Sequence, residues 1–412
     1  MKSNIFKLLL CFSILSMSVS LTAEATQMWT FENEREFLIS SKKDEPVTFS
    51  AEIIEKNLSV SNGQMTAITL TSLPKPSDGL LLKGSEIIRE FEKISRNDIA
   101  LISFVPVYGS TSASFTFIPE NVGAVKTTAV INLMNEPNNP PISVNKNFAT
   151  IKNLPVIGNI PVRDPENDVV TIHTIENPQK GTISVDGTNF RYVPNEGKSG
   201  TDSYVYYVKD SYGNISSEHV LNFDIEKIKQ PLVLSDMTDN AYHYSAIKAE
   251  QAGILSGEKV GSAKLFYPET PIKRSEFLVM LTAATGVQND LMVCVNTGLS
   301  NDASLRMWVK PYVTLSMENG IIDSEYFSKN DTLTRAEAIC MIDKAMGKEN
   351  TLIEGMFIKD IGAVPNEALQ SYINLESANM LHLYDGNAYP NAVLTRDYAS
   401  DLLYSLYEYK NM

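Results

Sequence analysis

Leu333-Thr334-Arg335-Ala336-Glu337 recurs in altered form at Ile272-Lys273-Arg274-Ser275-Glu276 and at Leu394-Thr395-Arg396-Asp397-Tyr398. The arginines keep one interval, since 335 minus 274 and 396 minus 335 are both 61. Matching residues at a fixed interval of this length mark a copied supersecondary unit, so the C-terminal half is expected to be three versions of one fold element. Working outward, a helix is predicted upstream of each arginine: Ala246 to Ala252, Trp308 to Asn319 and Glu367 to Ala378. These stop at Gly253-Ile254, Gly320-Ile321 and Asn379-Met380, and glycine and asparagine tolerate the left-handed backbone just past a helix. A loop follows, with Tyr267-Pro268 and Tyr389-Pro390 each placing proline six residues before the arginine, while the middle copy has Ser328-Lys329 instead. The arginine motif then opens a second helix. Its apolar faces are Phe277, Met280 and Leu281 in the first copy, Ile339, Ile342 and Met346 in the second, and Leu402, Leu403 and Leu406 in the third.

These residues resemble the S-layer homology (SLH) family, which carries an aromatic near the start of the first helix, Gly-Ile at its end and a Thr-Arg-Ala-Glu-like motif opening the second. Trp308, Gly320-Ile321 and Thr334-Arg335-Ala336-Glu337 carry the resemblance most fully. The first copy has Lys273 for threonine, and the third has Asp397-Tyr398 for Ala-Glu. Repeats are expected at residues 232–286, 298–347 and 356–412. The resemblance implies a mainly α, pseudo-threefold assembly of three prongs around a central bundle. It also implies noncovalent binding of a secondary cell-wall polysaccharide, often through a pyruvylated sugar, on a bacterial surface. The polymer-binding residues it implies are Arg274, Arg335 and Arg396, with Glu276 and Glu337 beside them and Trp308 as an aromatic wall.

The chemistry of the residues agrees with that role. A guanidinium presents a planar fork matched to a carboxylate, and a helix start favours an anion. A second reading of the same letters stays open: Thr334 followed three residues later by Glu337 is a capping box, which folding alone would retain. Arg335 has no part in such a box.

Upstream the pattern is β. From 46 to 135, period-two runs such as Ala67–Leu70, Ala100–Val105 and Ser114–Ile118 are broken by Ser61-Asn62-Gly63 and Asp78-Gly79. After Asn138-Asn139-Pro140-Pro141, a second all-β unit is expected at 140–228. Its strands are placed at Val169–Ile175, Gly181–Val185, Asn189–Val193 and a central Ser203–Lys209. Its Asp164-Pro165-Glu166-Asn167-Asp168, Gly200-Thr201-Asp202-Ser203-Tyr204 and Asp210-Ser211-Tyr212-Gly213-Asn214 stretches resemble the cadherin-like, immunoglobulin-like repeats of bacterial surface proteins. The first unit resembles a divergent relative. The expected fold class is therefore multidomain, two immunoglobulin/cadherin-like sandwiches followed by the three-repeat assembly. Asp164, Glu166, Asp168 and Asp210, with Asp202, offer hard oxygen ligands to calcium, though turn chemistry explains the same letters.

Residues 1–25 read as a secretory signal peptide: Lys2 and Lys7 precede an apolar run from Leu8 to Leu21, and cleavage is expected after Ala25. No later segment is apolar enough to serve as a transmembrane anchor. Past that point only Cys294 and Cys340 remain, too few for a disulfide framework. The formal net charge of -14 argues against nucleic acid as a partner. An acidic ligand would need positioned cations rather than a general field. His173, His219, His243 and His382 are scattered, and no nucleophile or metalloprotease motif occurs, so no enzyme is expected and no cofactor beyond calcium. The leading expectation is an exported, wall-bound surface protein whose β modules act as spacer or interaction surface. The alternative is an adhesin whose β modules bind other surface proteins or host ligands while the repeats serve structure.

Overall fold

The computed structural model describes residues 35–58, 64–123, 125–227, 233–322, 326–328, 331–352 and 355–411. The expected signal peptide and the expected boundary between 228 and 232 lie outside them. By backbone contacts the chain divides into two compact units, Met1–Asn139 with Ser211–Ile215, and Pro140–Asp210 with Ser216–Met412.

In the first unit β1 (Arg35–Lys42) runs parallel to β9 (Thr127–Met134), and β9 continues through β8 (Ser112–Pro119) and β3 (Ala67–Ser72) to β6 (Lys93–Ser95). The unit thus takes in a strand upstream of the expected boundary at 46. A second sheet is made of β2 (Val47–Thr48), β7 (Ile102–Pro106), β4 (Gly79–Lys83) and β5 (Glu86–Ile87), and the short helix α1 (Ala51–Asn57) follows β2 in the chain. Alternation is strict along β8 and β9, and the inward residues Phe115, Phe117, Ala129 and Ile131 fill the space between sheets with Phe37 and Phe104. The run Ala100–Val105 is only partly strand, because Arg96–Leu101 winds into a 3-10 turn. Ser95 caps that turn by accepting from the Asp98 amide.

The second β module begins the other unit. β11 (Lys146–Ile151) runs parallel to β18 (His219–Glu226), followed by β17 (Gly200–Asp210) and β14 (Val170–Glu176). The facing sheet is β12 (Val156–Asn159), β16 (Asn189–Pro194) and β15 (Gly181–Asp186). β17 is central as its sequence predicts, with Tyr204, Tyr206 and Val208 fully buried on one face. Between the sheets the Tyr192 and Phe223 rings stack with centroids 3.9 Å apart. Both β modules share one feature, a first long strand parallel to the last.

The repeats close into a ring. Their first helices are α2 (His243–Gln251), α4 (Lys310–Glu318) and α6 (Leu369–Ser377), and their second helices are α3 (Arg274–Thr285), α5 (Arg335–Met346) and α7 (Arg396–Asn411). The predicted stops hold: Gly253, Gly320 and Asn379 all have positive φ, at 74°, 67° and 55°. Each first helix packs on the second helix of the preceding copy, α4 on α3 and α6 on α5, and α2 closes the circle on α7. The three extended segments before the arginines meet at the centre. Ile272 N–H donates to Leu394 C=O at 2.9 Å, Leu394 to Leu333 at 2.7 Å, and Leu333 back to Ile272 at 3.3 Å. One step along, Arg274 donates to Asp331, Arg335 to Ala392 and Arg396 to Thr270. These acceptors share the 61-residue interval of the donors, so the chain carries a pseudo-threefold axis. Ile272, Leu333 and Leu394 are buried on that axis, each gaining roughly 1.5–3 kcal/mol from side-chain burial.

The second β module does not swing free of this ring. Ile151 belongs to the core of the helical repeats, and Glu226 at the end of β18 accepts from Tyr244 Oη and, at 2.9 Å, from Lys248 Nζ. No helix of the described residues is long and apolar enough to cross a membrane.

Candidate functional site

Each arginine is the first residue of a second helix, and the three copies differ in how that helix is capped. In the middle copy the capping box is complete: Thr334 Oγ1 accepts from the Glu337 amide at 3.2 Å, and Glu337 accepts from the Thr334 amide at 2.8 Å. In the first copy only the return bond is drawn by a side chain, Glu276 accepting from the Lys273 amide at 3.1 Å. In the third, Asp397 takes over, accepting from the Tyr398 amide at 2.7 Å and from Asn240 Nδ2 at 2.8 Å.

The ring sets each arginine beside the residue two places beyond the arginine of another copy, positions 276, 337 and 398. Arg274 Nη2 donates to Glu337 Oε1 at 2.5 Å. Burial opposes ionisation of Glu337, but the bonds from Thr334 and Arg274 outweigh it and hold the carboxyl below its usual range. Arg396 faces the charge of Glu276, although burial is the larger influence and pushes the guanidinium below its ordinary value. Its Nη2 donates to Ser256 C=O at 2.6 Å and its guanidinium lies 5.0 Å from the Phe266 ring centre.

Arg335 is the exception. The matching position is Tyr398, so the guanidinium meets a ring instead of a carboxylate, at 4.3 Å from the Tyr398 centre and 5.8 Å from that of Tyr389. Among the described residues no carboxylate pairs with it. Its Nε is buried without a hydrogen-bond partner, as is that of Arg396, and so are the hydroxyls of Tyr398 and Tyr372. Burial raises the pKa of both phenols, and the Arg335 charge opposes the rise in each. The result is a cluster of buried donors around a positive charge. An unpaired buried donor costs about 1–3 kcal/mol, which a bound anion would remove.

Sequence reading missed the groups that shape the surrounding loops. Asp236 accepts from the Phe266 and Tyr267 amides, both at 2.7 Å, and Asp360 accepts from the Ala388 and Tyr389 amides at 2.7 and 2.8 Å. Asn301 does the same work in the middle copy, accepting from the Phe327 amide at 3.2 Å. Two consecutive amides can reach one carboxylate because Tyr267 and Tyr389 turn through positive φ, 58° and 47°. The distance from these acidic residues to the arginine varies between copies, so a fixed-interval scan passes over them. Trp308, expected as an aromatic wall, precedes α4 and is 49% exposed. It makes no cation–π contact with the three arginines among the described residues.

In the second β module Asp164, Glu166 and Asp168 bring carboxylate oxygens within 4.8 Å of one another. Asp164 is 8% exposed. Its Oδ1 accepts from the Glu166 and Asp168 amides at 3.0 and 2.9 Å, while its Oδ2 and that of Asp168 are buried without a hydrogen-bond partner. Burial pushes the Asp164 pKa up despite those amide bonds, and the charges of Asp168 and Asp210 push the same way. Asp210 is buried at the end of β17 and stands outside the close group of three. Asp202 accepts from the Gln179 and Lys180 amides and from Tyr192 Oη at 2.7 Å, and it stands outside the close group of three.

Comparison with known proteins identifies one domain. Residues 138–221 match the family model described as a bacterial Ig domain, so this stretch is a bacterial immunoglobulin-type module. No curated protein matches the chain. Solved structures that align include an endo-fucoidan hydrolase of glycoside hydrolase family 107, at 12% identity, 48% of this chain, 29% of that one and TM-score 0.20. The tandem Ig repeats of Dlar align at 10% identity over 47% of this chain and 96% of that one, TM-score 0.20. Chicken VE-cadherin domains 1–2 align at 13% identity over 48% and 99%, TM-score 0.19. The chain thus spans under a third of the hydrolase, and at these scores the alignments carry no functional argument. The architecture is β modules, the second of them a bacterial immunoglobulin-type domain, followed by helices.

Proposed function

We propose that this chain is an exported bacterial surface protein, held noncovalently on the cell wall by three SLH-like repeats that bind an acidic secondary cell-wall polysaccharide. The observation that carries the reading is the donor cluster at Arg335. A guanidinium with no carboxylate partner, beside two buried phenols with no acceptor, suits a sugar carboxylate such as that of a pyruvylated residue. The pseudo-threefold ring supports it, because Glu337 pairs with Arg274 and the charge of Glu276 acts on Arg396, whereas Tyr398 stands where a carboxylate would face Arg335. The chain's acidity also fits, since a protein of net charge -14 needs a local cationic site to hold an acidic polymer. The two β modules would stand as spacer or display surface on this anchor. A sedimentation assay with wall sacculi tests the assignment: Arg335→Gln should leave most of the protein in the supernatant, and unchanged pelleting would refute the site.

A calcium ion in the second β module belongs to the same proposal. Asp164 and Asp168 each hold a buried carboxylate oxygen with no donor, and calcium takes such hard oxygens in sets of six to eight. Asp164, Glu166 and Asp168 would supply the first ligands and Asp210 a buried charge behind them. Titration with calcium followed by heat denaturation tests it, with no shift in midpoint as the refuting result.

A further inference from the structure

Where the second β module meets the helical repeats, the fold leaves a cavity of about 560 Å³. Strands β11 and β12 form one side, and α2, α7 and the segment 378–385 form the other. None of the three motif arginines lines it, so it is separate from the anion site at Arg335. Its volume falls in the roughly 300–1,000 Å³ range of small-molecule sites.

Two opposite charges face into this space without meeting. Lys146, on β11, makes no ion pair among the described residues, and its ammonium lies 5.7 Å from the Phe148 ring centre. Glu376, on α6, accepts from the Phe357 amide through Oε1 at 3.1 Å, but its Oε2 is buried with no partner. Burial is the leading influence on both: it lowers the Lys146 pKa against the charges of Asp401 and then Glu376, and it raises that of Glu376 against the Phe357 amide bond and the Lys146 charge. The other carboxylates of the lining already have partners: Glu408 accepts from Tyr404 Oη at 2.6 Å and Asp385 from Asn189 Nδ2 at 2.9 Å. Asp401, 2% exposed, binds His382 Nδ1 at 2.6 Å and Ser245 Oγ at 2.6 Å. Aromatic side chains, among them Phe148, Tyr244, Phe357 and Tyr404, supply apolar walls.

We propose that this cavity binds a zwitterion of the amino-acid class, its carboxylate on Lys146, its ammonium on Glu376 Oε2, and its side chain against the aromatic wall. Such a ligand supplies the two missing partners at once. A neutral apolar molecule would fill the space and leave both charges unpaired, at a cost that grows with their desolvation. A free amino acid and a short peptide share this chemistry and differ in the span between their charges. The site would make the junction between the sandwich and the repeats ligand-dependent, because Lys146 and Glu376 belong to different modules.

Calorimetric titration of the full chain with phenylalanine and with glycyl-phenylalanine tests the proposal and separates the two sources. Phenethylamine and 3-phenylpropionate, each lacking one charge, should bind at least about tenfold more weakly than the better zwitterion. Lys146→Met and Glu376→Gln should weaken it to a similar degree while leaving the circular dichroism spectrum unchanged. Equal binding of the single-charge analogues, or no heat and no thermal stabilisation from either zwitterion at millimolar concentration, would overturn it. If a variant fails to fold, the analogue series on the unaltered chain decides alone.

Discussion

Glu337 performs two tasks that substitution can separate. Its carboxylate caps α5 by accepting from the Thr334 amide at 2.8 Å, and it pairs with Arg274 across the ring at 2.5 Å. Glu337→Ala removes both. A lost capping partner costs about 1 kcal/mol. The ion pair is about a quarter exposed on the arginine side and 42% exposed on the glutamate side, so solvent screening limits its worth to about 0.5 kcal/mol. Glu337→Ala should therefore destabilise by about 1.5 kcal/mol. On the scale of ~2–4 °C per kcal/mol for a unit of this size, that is roughly 3–6 °C in midpoint. Glu337→Gln keeps a capping acceptor and loses only the charge, so about a third of the effect should remain. The pH dependence gives an independent check. The folded-state pKa of Glu337 lies below its unfolded value near 4.5, so the charge contribution is present above that value and lost as pH falls through the depressed folded one. The gap between the native chain and Glu337→Gln should thus be constant from pH 7 to 5 and narrow steadily once the pH falls below the unfolded value of 4.5. Urea unfolding followed by circular dichroism measures all of this. Equal losses for the two substitutions, or a gap that persists at pH 3, would refute the division of labour.

Tyr398→Phe and Tyr372→Phe should not destabilise, and can stabilise by up to about 1 kcal/mol, because each removes a buried hydroxyl with no partner. The same substitutions should weaken sacculus binding several-fold, whereas a purely structural role predicts no change in binding. Arg335→Gln should reduce binding by about ten- to hundredfold, the worth of one charge-assisted carboxylate pair, while Arg274→Gln should change it little because Glu337 already occupies that guanidinium. Calcium should raise the melting midpoint of the second β module, and Asp164→Asn should abolish that gain. Because burial raises the Asp164 pKa, its ionised form costs stability above the folded pKa and that cost disappears as pH falls, so the calcium gain should shrink toward pH 4. Gly320→Ala should cost about 1 kcal/mol by thermal unfolding although nothing lies within 4 Å of its new Cβ, since its φ of 67° is strained for any residue with a side chain.

The repeat geometry was legible because its determinants are local. The fixed interval between arginines, the Gly-or-Asn stops and the Thr334–Glu337 box each specify a backbone conformation that sequence letters announce. The β strands were legible for the same reason, and Val170–Glu176, Gly181–Asp186 and Asn189–Pro194 fall within a residue of their expected bounds. What sequence could not supply is pairing across the ring. That Arg274 finds Glu337 while Arg335 finds Tyr398 depends on which copy sits beside which, and the 61-residue interval fits either direction around the circle. Ala100-Leu101 read as strand by alternation, but the Ser95 cap winds that segment into a turn. Asp202 shared its letters with the acidic loop and proved to serve two backbone amides and a tyrosine. Lys146 and Glu376 are unremarkable in sequence, 230 positions apart by their numbering, and only the packing of a sandwich against a helical ring turns them toward one cavity.

The central claim is that an acidic wall polymer, rather than peptidoglycan itself, holds this protein through Arg335. Co-sedimentation of the full chain with sacculi retaining their secondary polymer, set against the same sacculi after acid removal of that polymer, tests it most directly. The protein is expected to pellet with the first and stay in solution with the second, and free acidic polymer should compete it off. Equal pelleting with both preparations would contradict it.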